Sequence, residues 1–92
     1  MLTFVESERF YQEIRQFFQG EECEEILRVV IQDAICRDPF VGVLVEPELE
    51  IFLYRFQDRY SNRYTIFYTI ENGDTGNWND RYINALSVTK SI

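Results

Sequence analysis

The chain has 92 residues, 46% of them hydrophobic and 16% aromatic, with a formal charge of −7. That suits one domain over residues 1–92 and is too apolar for a disordered chain. It contains no histidine, which excludes histidine acid–base catalysis, histidine-containing triads and Cys2His2 zinc sites.

The charge is uneven. Residues 1–50 carry four arginines against twelve acids, whereas residues 51–92 carry four arginines and one lysine against four acids. The first half repels phosphate, so any nucleic-acid contact must come locally from the second half. Cys23 and Cys36 fall on one predicted helix, 13 residues apart, or roughly 20 Å along its axis. A disulfide between them is therefore excluded. Two lone thiols, with no C-x-x-C, no N-x-S/T and no signal peptide, point to a reducing cytoplasm. No apolar run approaches the roughly 20 residues of a membrane span.

"MLTFVES" reads as a short opening strand. Ser7 offers a helix N-cap, and Phe10, Ile14, Phe17 and Phe18 form one apolar stripe at helical spacing. Gly20 ends that helix. A second stripe follows: Cys23, Ile26, Leu27, Val30, Ile31, Ala34 and Ile35. Four glutamates load its first turn, where the helix dipole favours acids, and Pro39 forces Asp38 out of the helix. The two helices make an αα-hairpin with one apolar stripe each.

From Phe40 the pattern turns to strands. "VGVLVE" is apolar and branched, and Pro47 makes its far end unsuitable for a central strand. "IFLYRF" (51–56), "RYTIFYTI" (63–70) and "YINALSVT" (82–89) read as further strands. Between them lie the turn "QDRYSN" and the polar loop "ENGDTGNWND". The expected architecture is α+β and two-layered: an N-terminal strand, an αα-hairpin, then an antiparallel meander of three to four strands with helices on one face.

Strand alternation places Phe52, Tyr54 and Phe56 on one face and Ile51, Leu53 and Arg55 on the other. Phe67 joins the second set on the next strand. Both faces are largely apolar, and two helices serve only one. Ile51, Leu53 and Phe67 are therefore expected to meet a partner, since large exposed apolar patches are uncommon in monomers. Trp78, in a polar loop, either folds back over the sheet or anchors the same partner. Arg55, Arg59 and Arg63 are read as solvated charge over aromatic rings, as phosphate ligands, or as contacts to an acidic partner. Glu46, Glu48 and Glu50 either keep an edge from sticking or receive a basic partner. "DTGNWND" lacks the EF-hand spacing and its closing Glu. No metal site and no cofactor are expected.

The element order, the D-P-x-x-G piece at Asp38–Gly42, the Tyr64–Tyr68 rhythm, "RYTIFYTIENG" and "INALSVTK" together resemble the RelE/ParE superfamily of bacterial toxins. The resemblance spans nearly the whole chain. It implies a small cytoplasmic toxin neutralised by a co-encoded antitoxin that wraps the sheet. RelE-like members cut mRNA on the ribosome without a metal, and ParE-like members poison DNA gyrase. Carried onto this sequence, Arg55 keeps the central-strand arginine, while Ile51 and Leu53 stand where lysines are frequent. Thr65 occupies the usual place of the catalytic arginine, with Arg63 displaced to the other side of Tyr64, and Lys90 remains of the terminal basic pair. The implied catalytic set is thus Arg55, Arg63 and Lys90, a degenerate nuclease site. The resulting expectation is a toxin-fold protein acting through contacts of an aromatic sheet face with an antitoxin protein or a second copy. The alternatives are an active mRNA interferase engaging ribosome and mRNA, a gyrase inhibitor, or an α+β interaction module unrelated to toxins.

Overall fold

The change from strand to helix happens at Ser7. In the computed structural model, which describes residues 1–91, the chain opens as β1 (Thr3–Glu6) and passes into α1 (Glu8–Phe17). Ser7 has extended backbone, and its Oγ accepts from the Phe10 N–H at 3.1 Å, satisfying one orphan donor of the first turn. Phe10, Ile14 and Phe18 are fully buried and Phe17 partly so, which is the predicted stripe. Gly20 takes a positive φ of 57°, a conformation that costs glycine little.

The second helix starts as α2 (Glu21–Ile26) and widens into a π-helical segment (Leu27–Cys36). Its i to i+5 bonding changes which residues share a face. Leu27, Val30, Ile31, Ile35 and Cys36 are buried, while Ile26 and Ala34 are only half-buried. An α-helical spacing puts Ala34 on the stripe and leaves Cys36 off it; the wider turn reverses both, while Ile26, which precedes it, still packs against the core. Cys23 and Cys36 are buried free thiols. Burial pushes the Cys36 thiol up to about 11.

The sheet has five strands in the order β1-β5-β4-β3-β2. β2 (Val43–Glu46), β3 (Ile51–Gln57), β4 (Arg63–Glu71) and β5 (Tyr82–Lys90) form the antiparallel meander, and β1 adds itself parallel to β5. The α+β expectation therefore holds. Opposed residues share a face. Phe52–Tyr68, Tyr54–Ile66–Val88 and Phe56–Tyr64–Lys90 lie on the helix side. Leu53–Phe67–Ser87, Ile51–Thr69–Asn84 and Arg55–Thr65–Thr89 lie on the other.

Helices and sheet close on a core of Phe10, Ile14, Phe18, Ile31, Ile35, Ile66, Tyr68, Ile83 and Val88. Each of these large side chains is worth about 1.5–3 kcal/mol of transfer free energy. Tyr64 stacks on Phe56 at 5.4 Å between ring centres and meets Phe18 at a tilt at 4.6 Å. Tyr68 ties the two sequence signatures together. Its hydroxyl donates to the Pro39 carbonyl at 2.7 Å and accepts from the Gly42 N–H at 3.1 Å. A Cβ on Gly42 would stand 2.6 Å from both the Leu53 carbonyl oxygen and the Tyr68 hydroxyl. The glycine of D-P-x-x-G is thus required by close approach of backbone to backbone.

Candidate functional site

The helix-free face carries most of the residues that the sequence singles out. Leu53 pairs with Phe67, and Ile51 sits beside them opposite Thr69. All three are half-buried rather than bare. The centre of this face consists of small hydroxyl side chains, Thr65, Thr69 and Ser87, each under a tenth exposed. The face is therefore a smaller apolar surface than strand alternation implies.

Arg55 and Arg63 meet on the same face. They line a concavity with Gln57, Ser61, Asn62, Thr65 and Ser91. Its rim is the β3–β4 hairpin. There Asp58 Oδ1 accepts from the Tyr60 and Asn62 N–H groups at 2.8 and 2.9 Å, and Oδ2 accepts from the Asn62 side chain at 3.2 Å. Partial desolvation pushes the Asp58 carboxyl up, and these hydrogen bonds to Asn62 and Tyr60 outweigh it, holding the group below its ordinary value. Arg59 lies in this turn over the Tyr60 ring, 5.7 Å from its centre.

Lys90 does not join them. It pairs with Tyr64, whose ring is in the helix-side core. The cause is a bulge at Leu86: the ladder to β4 shifts between Ala85 and Ser87. After an extra residue the alternation of a strand inverts, so Val88 and Lys90 follow Ala85 onto the helix side. The arrangement offers two guanidinium groups and several hydroxyl and amide donors to an anion.

Trp78 is likewise separate from Ile51, Leu53 and Phe67. It begins a short 3-10 turn (Trp78–Asp80) and stacks on Phe40 at 5.6 Å with an interplanar angle of 19°. Phe40 in turn meets Phe52 edge-on at 5.9 Å, and Arg81 covers Trp78 from 4.7 Å. Trp78 thus folds back against the helix-side rings instead of over the face that Leu53 occupies. Asp80 ties its loop by accepting from the Thr75 N–H. The two hydrogen bonds from Thr75 hold the Asp80 carboxyl below its ordinary value.

The strongest surface feature lies elsewhere. Phe40, Val41, Val43, Leu44, Val45 and Leu49 are between 41% and 68% exposed. They run through β2, which is the outermost strand and has no neighbour beyond β3 among the described residues. Val43 extends the helix-free face beside Leu53, and Leu44 extends the helix side beside Phe52. The acids Glu46, Glu48 and Glu50 close this stretch. Glu46 ends the strand, and Glu48 and Glu50 stand in the following turn, where Glu50 has a φ of 54°. They do not alternate along one extended face as the spacing suggests. Pro47, read as an edge signal, was the visible clue to this site. That β2 stays exposed was not visible, because it depends on where the two helices lie across the sheet.

Among the described residues no group of three or more His, Cys, Asp or Glu is placed to hold a metal ion. No described helix is long and apolar enough to cross a membrane. No protein-family model matches the chain, and no curated protein matches it.

Proposed function

We propose that this chain is a cytoplasmic protein-binding module of the toxin–antitoxin kind, with a RelE/ParE-like order of elements, whose partner is a neutralising antitoxin. The observation that carries the reading is the run of exposed apolar residues from Phe40 to Leu49 on an outermost strand. Contiguous apolar surface of this kind is characteristic of interaction sites. The aromatic and aliphatic side chains there supply anchors, and Ile51, Leu53 and Phe67 continue the surface across the helix-free face.

A second reading, metal-independent mRNA cleavage, is favoured by the juxtaposition of Arg55 and Arg63 in one concavity. Two guanidinium groups lining one concavity can stabilise charge developing on a phosphate.

Induced expression, alone and together with the neighbouring gene product, separates the two. The binding reading predicts a soluble complex with that product and intact mRNA. Growth arrest with mRNA cuts, relieved by Arg55→Ala with Arg63→Ala, would establish cleavage instead. Absence of any complex would remove the antitoxin reading.

A further inference from the structure

We infer that the outer edge of β2 is a strand-addition site for an extended, basic segment of a partner protein. This deepens the binding reading above and rests on it.

Three observations converge. First, among the described residues β2 pairs through one edge only, so the backbone N–H and C=O groups of its other edge have no strand partner there. Such an edge is a template for another strand. Second, the guards of this edge are its shortness and its far end: β2 has four residues, a bulge at Val45, and Glu46 and Pro47 where it stops. Val43, Leu44 and Val45 themselves are exposed and uncharged. They offer side-chain contact on both faces, Val43 beside Leu53 and Leu44 beside Phe52. Third, the end of the strand is acidic. Glu46, Glu48 and Glu50 cluster there, on a chain whose net charge is −7.

The third observation selects the occupant. A second copy would bring the same −7 charge and the same acidic turn to the interface, which disfavours self-pairing. A segment with alternating apolar residues and flanking lysine or arginine gains both the ladder and the charge complementarity. Pro47 has no N–H to give and limits the added ladder to β2 itself.

The test uses the whole chain and a synthetic peptide of about eight residues alternating valine and lysine. Controls are the valine–glutamate peptide and a valine–lysine peptide interrupted by proline. Amide hydrogen exchange and sedimentation are read together. The expected result is protection of the Val43–Glu46 amides by the lysine peptide alone, in a monomeric chain, with affinity falling about tenfold on going from low to high salt. Val43→Lys blunts the edge without touching the core; it should weaken the peptide about tenfold and leave the melting temperature unchanged. Equal binding of the glutamate peptide, protection at Leu53 and Phe67 instead of β2, or a dimer with β2 already protected would each overturn the inference. The neighbouring gene product distinguishes the levels. Capture by the wild type and equally by Val43→Lys keeps the binding reading and removes strand addition, whereas no capture by either removes the binding reading itself.

Discussion

The two ends of the sheet treat the same problem in opposite ways. At one end β1, four residues long like β2, pairs with Tyr82–Ala85 of β5. Beyond it, α1 takes over the role of a strand. The Ser7 N–H donates to the Ala85 carbonyl at 3.0 Å, and its Oγ donates to the carbonyl of the bulged Leu86 at 2.9 Å. Glu13 Oε1 then accepts from the Val88 N–H at 3.2 Å and from Ser87 Oγ at 2.7 Å. The outer side carries the Arg15–Glu6 ion pair at 2.8 Å, and the Leu2 N–H is tied to the Cys36 carbonyl. At the other end β2 has an apolar outer edge, with Val43, Leu44 and Val45 exposed and no strand beyond it among the described residues. The edge of β5 that β1 leaves uncovered is thus closed by Ser7 and Glu13, whereas among the described residues the apolar outer edge of β2 is left available for pairing.

The contrast can be broken from the closed side first. Ile14 is fully buried on the inner face of α1. Ile14→Ala should cost about 2–5 kcal/mol and loosen the whole β5 edge, as measured by denaturant unfolding. Glu13→Ala should cost about 1–3 kcal/mol, because it strands the buried Val88 N–H. Its exchange rate should rise at Val88 while β2 is unaffected. If Glu13→Ala leaves Val88 protected, α1 is not what closes that edge.

The hinge between the regions is Tyr68, which fastens Pro39 and Gly42 at the entry to β2. Burial pushes its phenol up to about 12. Folding therefore favours the neutral phenol, and this contribution is complete below the ordinary value near 10 and lost as pH rises through about 12. Alkaline unfolding should be steeper in the wild type than in Tyr68→Phe over that window. Equal slopes would mean that Tyr68 ionises freely in the folded chain.

The smallest effect is expected at the open edge. Val43→Lys should change stability by no more than about 0.5 kcal/mol, since the Val43 side chain is 64% exposed. A loss several times larger would show that β2 is covered in solution.

Much of this was legible in the sequence because it is local. Ser7 as cap, the Phe10–Ile14–Phe18 stripe, Gly20 and Pro39 all act within a turn or two of themselves. That Leu53 and Phe67 share a face followed from alternation; that they pair directly did not. What failed depends on non-local geometry or on one extra residue. The π-helical turns moved Cys36 inward and Ala34 outward, and no residue type in that run announces them. The Leu86 bulge carried Lys90 away from Arg55 and Arg63. Trp78 found Phe40, which stands almost forty residues earlier, in the turn between the second helix and β2. The exposure of β2 required knowing that the helices lie over β1, β5, β4 and the inner side of β3, where Phe18 meets Phe56, and leave Val43, Leu44 and Val45 exposed.

The most direct test of the asymmetry is amide hydrogen exchange on the monomeric chain alone, comparing the two outer edges. The Val88 N–H, held by Glu13, should exchange at a rate set by opening of the fold, and the outward amides of Val43–Glu46 should exchange orders of magnitude faster. Matching slow exchange at both edges would contradict the account.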